Sequence, residues 1–80
     1  MPGQNKIRVS VAAYGLAARQ VQAGSYEVKA GSTVKAVLKR AGIGVGGAGL
    51  VLMIEGDRVE PDRPVEDGEE IKVFHLAAGG

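Results

Sequence analysis

The residues with the clearest chemical potential in this 80-residue sequence are its last two, Gly79-Gly80. As a free end they would present a carboxylate for another protein's active site to reach. Glycine has no Cβ, so such a pair can thread a channel too narrow for any other dipeptide. Glycine fills 13 of the 80 positions, and chance would place a pair here ~3% of the time in so glycine-rich a composition. The doublet therefore needs support from the fold.

The remaining side chains offer little chemistry of their own. There is no cysteine, which excludes disulfides, thiolate metal sites and cysteine nucleophiles and fits a reducing compartment. The single histidine, His75, has no partners for a triad; it reads as a packed or edge-strand histidine rather than a catalyst. Asp62, Glu66, Asp67, Glu69 and Glu70 read as a solvated acidic turn, with attraction of a basic partner groove as a second reading. Without histidine or cysteine at ligand spacing they make no metal site. Gly44, Gly46 and Gly49 fit G-x-G-x-x-G, but a dinucleotide fingerprint follows a strand and opens a helix. This one follows a helix and opens a strand, so it reads as a flexible loop.

Composition narrows the partners. The net charge is +1, with acids and bases interleaved, which argues against nucleic acid, since phosphate binding needs a basic surplus on one face. No apolar run approaches a membrane span, and MPGQNKIRVS has no apolar signal core. The expectation is one small, soluble, cytoplasmic domain, with no membrane partner and monomeric when alone. Its core must be aliphatic, because there is no tryptophan and one phenylalanine.

The elements that position the end follow from periodicity. Ile7 to Val11 and Ser25 to Lys29 alternate apolar and polar, the period of half-buried strands. Tyr14 to Gly24 reads as a long connection, although Leu16 to Val21 could form a helical turn; Tyr14 and Tyr26 read as packing residues. Ser32 or Thr33 can cap a helix of about nine residues. Val34, Val37, Leu38 and Ala41 form its apolar stripe at i, i+3, i+4 and i+7, and Gly42 is placed to end it. Leu50 to Ile54 is an apolar run typical of an inner strand. Arg58-Val59 is a short strand, and Ile71 to Leu76 the last. The order is strand, strand, helix, strand, short strand, strand. The fold class is α+β, a ubiquitin-like β-grasp: a mixed four- to five-stranded sheet with one main helix packed on one face. Residues 1–76 form this domain and residues 77–80 a flexible tail.

Alternation also predicts a surface. If Ile71 and Val73 face the helix, Phe74 faces the other way; by the same rule Leu52 and Ile54 point inward, and Val51 and Met53 outward. In a β-grasp sheet the third and last strands are neighbours, so Phe74, Met53 and Val51 would form one exposed apolar patch beside the tail, a mark of a protein interface. A register slip of one residue would instead make Phe74 core.

Nearly the whole chain resembles a ThiS/MoaD-type sulfur carrier. The segment from Pro64 through Asp67-Gly68 and Ile71 to Phe74 resembles the family's "P-L-x-D-G-D-x-V/I" turn into the last strand. It continues through His75-Leu76-Ala77-Ala78 to Gly79-Gly80. Gly31 through Leu38 resembles the "G-x-T-V…L" start of the family helix. Ile54 to Val59 sits where the family has an Asn-Gly turn, with Glu55 in place of the asparagine. The long connection after the first strand resembles the molybdopterin-type carriers, and the ending Phe-His-Leu-Ala-Ala-Gly-Gly the thiazole-pathway carriers.

The resemblance implies a protein co-substrate, not an enzyme. A carboxylate is a poor electrophile and must first become a mixed anhydride. The resemblance implies an acyl-adenylate at Gly80, made by a ubiquitin-activating-type adenylating enzyme that uses ATP; no cofactor is bound by the chain itself. Sulfur then displaces AMP, and the thiocarboxylate passes sulfur to a synthase, thiazole synthase or the molybdopterin synthase large subunit. Gly79 lets the backbone pass, and Ala77 and Ala78 keep the tail slim. Four extended residues reach roughly 13 Å. Two other functions share this end: a modifier forming isopeptide bonds with lysines, and an interaction domain whose Gly-Gly end is accidental.

Overall fold

Alternation in the first strand decides the layering. In β1, Lys6–Ala13, Val9 and Val11 are buried while Lys6 and Arg8 are exposed. The structure, a computed structural model, describes residues 5–19, 21–42 and 49–75. After β1 come a 3-10 helix (Gly15–Arg19), β2 (Gly24–Lys29), α1 (Val34–Arg40), β3 (Leu50–Ile54), β4 (Asp57–Val59) and β5 (Glu70–His75). The five strands form one sheet in the order β2-β1-β5-β3-β4. β1 and β5 run parallel, and the other pairs are antiparallel. One face packs on α1 and the other is open, the two-layer α+β arrangement of a β-grasp.

The core is the meeting of two periodicities. The sheet contributes Val9, Val11, Val28, Leu52, Ile54, Ile71 and Val73, and the helical stripe Val34, Val37, Leu38 and Ala41; all are buried. The expected stripe is thus the packed face of α1. The helix has seven residues rather than about nine, because both ends of the expected span are caps. Thr33, not Ser32, is the N-cap, accepting from the Ala36 N–H at 3.2 Å. The next free amides of the first turn find partners in the loop after β4. Val34 N–H donates to the Arg63 carbonyl at 2.9 Å and Lys35 N–H to that of Pro61 at 2.8 Å, satisfying donors that a helix start leaves orphaned. Ala41 is the C-cap, and Gly42 follows with φ 105°, a left-handed exit that suits glycine.

Two expectations need correction. The Tyr14 to Gly24 connection is not a bare loop: it holds the 3-10 helix, and Ala17 and Val21 are buried in the core. Its far end is tied to the helix C-terminus, where Gln22 N–H donates to the Ala41 carbonyl at 2.8 Å. The acidic turn is not simply solvated either. Glu69 takes both guanidinium nitrogens of Arg63, at 2.9 and 3.0 Å, with its side chain only 12% exposed. It also accepts from the Glu66 N–H, while Asp67 accepts from the Arg8 N–H at 2.8 Å. The hydrogen bond from Arg63 holds the Glu69 carboxyl below its usual range, against the opposing pull of burial; the same bond raises Arg63. These contacts close the 60–69 loop over the helix start, where Val65 is buried and its N–H donates to the Ser32 carbonyl at 2.8 Å.

The β3–β4 hairpin turns on Glu55-Gly56, with φ 53° and 84°. Both residues are left-handed, the requirement of a two-residue hairpin turn of the primed type. Glu55 therefore adopts the conformation that an asparagine would take more easily. Among the described residues no helix is long and apolar enough to cross a membrane.

Candidate partner-binding face and tail root

The central strand carries the candidate face. β5 lies between β1 and β3, so its outward side chains sit in the middle of the open sheet face. Ile71 and Val73 are fully buried on the helix side. Phe74 is on the opposite face, and Val51 is its direct partner across the β3–β5 ladder, with Met53 opposite Lys72. The register thus brings Phe74, Val51 and Met53 onto one outward face, as alternation predicted. All three are half-buried rather than exposed.

For Phe74 the reason lies in a residue that alternation and composition assign to packing. Tyr14 is 45% exposed, the one large apolar side chain so exposed among the described residues. Its ring stacks on Phe74 with centroids 5.0 Å apart and planes 13° from parallel. Its N–H donates to the Val73 carbonyl at 3.0 Å, which extends the β1–β5 ladder by one residue. Continuing the β1 alternation past Ala12 would have placed it on the outward side. Tyr26, by contrast, packs against the core as expected, with its hydroxyl donating to the Gln22 carbonyl.

Rows across this face differ in chemistry. Tyr14, Phe74 and Val51 form the row nearest the chain end. Behind it the ladders align Ala12, Lys72, Met53 and Arg58. Among the described residues neither Lys72 nor Arg58 has an ion-pair partner, the pair there being Arg63–Glu69.

His75 closes β5 on the helix side of the sheet. It sits on the central strand, not an edge, and is half-buried, with Nδ1 buried and without a partner among the described residues. A methyl group at Gly49 would stand 3.8 Å from its ring, so the imidazole is packed beside that glycine. Leu76, Ala77, Ala78, Gly79 and Gly80 lie outside the described residues, as do Gly44 and Gly46 of the glycine-rich match. Among the described residues no group of three or more His, Cys, Asp or Glu side chains could hold a metal ion.

No curated protein matches the chain significantly. The family model described as "ThiS family" matches residues 16–80, a span that starts in the 3-10 helix and includes α1, β5 and the Gly-Gly end. With most of its length accounted for by that model, the chain belongs to the ThiS family.

Proposed function

We propose that this chain carries sulfur on Gly80, whose carboxylate is adenylated and then converted to a thiocarboxylate that donates sulfur in thiamine-thiazole or molybdopterin synthesis. The observation that carries the reading is the family match running through to Gly80. Membership supports a sulfur-carrier role in cofactor biosynthesis and, in general terms, dealings with an adenylating enzyme and a sulfur-accepting synthase. The chemistry fits the residues. A Gly80 oxygen attacks the α-phosphorus of ATP held by the adenylating enzyme, and pyrophosphate leaves. Sulfur at the hydrosulfide level then adds to the acyl carbon, and AMP leaves. The chain has no cysteine to hold sulfur otherwise and contributes a reaction centre, a slim approach through Ala77, Ala78 and Gly79, and a docking face at Phe74, Met53 and Val51.

The test is to block the end. The core draws on β5 no further than Val73 among the described residues, so adding one residue after Gly80 should leave the unfolding midpoint within about 1 °C. ATP–pyrophosphate exchange with the adenylating enzyme should be lost. An extended chain adenylated without prior cleavage would refute the reading.

A further inference from the structure

The two edges of the sheet carry opposite charge. The net charge of +1 conceals this: seven of the ten basic residues lie between positions 6 and 40, and eight of the nine acidic ones between 55 and 70. The signs therefore separate along the chain rather than interleave, and the topology keeps them apart. β2 and β4 are the outermost strands of the sheet, four strand spacings or roughly 19 Å from each other. At the β2 edge Lys29 stands directly opposite Lys6. The C-terminal end of α1 adds Lys39 and Arg40, the latter donating to the Glu27 carbonyl at 3.3 Å. At the β4 edge are Asp57, Glu60 and Asp62. All these charged side chains are exposed, and each edge strand holds one residue of the minority sign, Glu27 and Arg58. The one ion pair among the described residues, Arg63–Glu69, involves none of them. Like charges directly opposite on paired strands cost stability, so the Lys6–Lys29 pair brings the isolated domain no gain.

Neither edge welcomes a further strand. Ala30 N–H donates to the Asn5 carbonyl at 2.8 Å, and by alternation the backbone groups of Glu27 and Lys29 point away from β1. The Glu27 carbonyl is taken by Arg40, and the Lys29 carbonyl by the N–H and hydroxyl of Ser32, at 3.0 and 2.7 Å. β4 is three residues long, with Pro61 close behind it. Covered and short edges resist strand addition, so whatever meets them does so through side chains. We propose that the basic β2 edge of one copy of this chain docks on the acidic β4 edge of another, in a reversible, salt-sensitive, head-to-tail contact. Charge complementarity names the occupant, because the acidic surface that matches the basic edge belongs to the chain itself. The contact is heterologous: each copy keeps one unmatched edge, so assembly extends with concentration instead of closing as a dimer. β5 lies at the centre of the sheet, so a chain paired at its edges keeps its open face free.

The experiment is sedimentation velocity of the full chain over a wide range of concentration, at roughly 20 and 300 mM salt. It is independent of what Gly80 carries. The weight-average mass should rise with concentration at low salt and stay at the monomer value at high salt, where the Debye length falls to about 6 Å. Lys29→Glu should weaken association roughly fivefold at low salt, whereas Lys72→Glu, the same charge change on the central strand, should shift it by less than about twofold. Reversing both edges together, with Lys29→Glu, Lys39→Glu, Asp57→Lys and Glu60→Lys, keeps the net charge at +1 and should restore association. Unfolding midpoints establish that each variant folds; if the fourfold variant does not, the comparison of Lys29→Glu with Lys72→Glu decides. A chain that is monomeric at every concentration in low salt would overturn the proposal. Equal effects of Lys29→Glu and Lys72→Glu would do the same, since they signify general charge effects. So would association that survives high salt or saturates at a dimer, which assigns the contact to the apolar face, or a folded fourfold variant that stays monomeric.

Discussion

Adjacent residues on β5 should respond very differently to the same substitution. Val73 is fully buried, with Ala13 and Leu52 as its register partners. Val73→Asp forfeits about 2 kcal/mol of transfer energy and adds several kcal/mol for an unpaired buried carboxylate. A domain of this length has a stability of about 4–12 kcal/mol, so the variant should be unfolded or nearly so. Phe74 points the other way, and its replacement leaves the carboxylate at a half-open surface. The loss is the stack with Tyr14, about 1 kcal/mol, and part of the ring's burial, about 1 kcal/mol more. At 4–8 °C per kcal/mol for a small domain, Phe74→Asp should melt roughly 10 °C early yet fold cooperatively. Circular dichroism during heating and urea titration reads both. The folded Phe74→Asp protein should also show a KM for adenylation at least about tenfold higher. Equal collapse of the two variants would mean that Phe74 is core and the register argument wrong. An unchanged KM would mean that this face meets no enzyme.

Two further predictions concern stability. Glu55→Asn should raise the melting temperature by about 3–6 °C, because asparagine tolerates the left-handed turn conformation at about 0.5–1 kcal/mol less cost; a lower midpoint, seen by calorimetry, would show that the glutamate side chain makes a compensating contact. Glu69 has a lowered carboxyl pKa in the folded state, first through its hydrogen bond from Arg63, so its stabilising contribution is present above the ordinary glutamate value near about pH 4.3 and is lost as pH falls through the lowered folded value. Glu69→Gln should therefore be less stable at neutral pH and lose less on acidification, and parallel curves of midpoint against pH would refute the ion-pair role.

Where burial repeats along the chain, the sequence was readable. The period-two pattern at Val9 and Val11, and at Ile71 and Val73, and the stripe from Val34 to Ala41 all became core, because periodic apolar positions report a buried face directly. Gly42 was readable too, falling where a left-handed exit from α1 is required, whereas the place of the Glu55-Gly56 turn came only through the family resemblance. What stayed hidden depended on partners distant in sequence. The Arg63–Glu69 pair braces the loop whose Pro61 and Arg63 carbonyls accept from the start of α1, which no local pattern reveals. Tyr14 looked like a loop residue because the parallel β1–β5 pairing that fixes it joins opposite ends of the chain. The helix was overestimated by two residues because capping residues share its composition but not its dihedrals.

The sulfur on Gly80 can be sought directly. The chain, made in cells that supply the adenylating enzyme and a sulfur source, should contain a fraction heavier by about 16 Da, one oxygen replaced by sulfur. Methionine oxidation at Met1 or Met53 adds nearly the same mass, so fragmentation must locate the shift. The sulfur-carrier assignment predicts it on Gly80, together with labelling by a thiol-directed alkylating agent in a chain without cysteine. A shift confined to methionine, with no alkylation of the last residue, would contradict it.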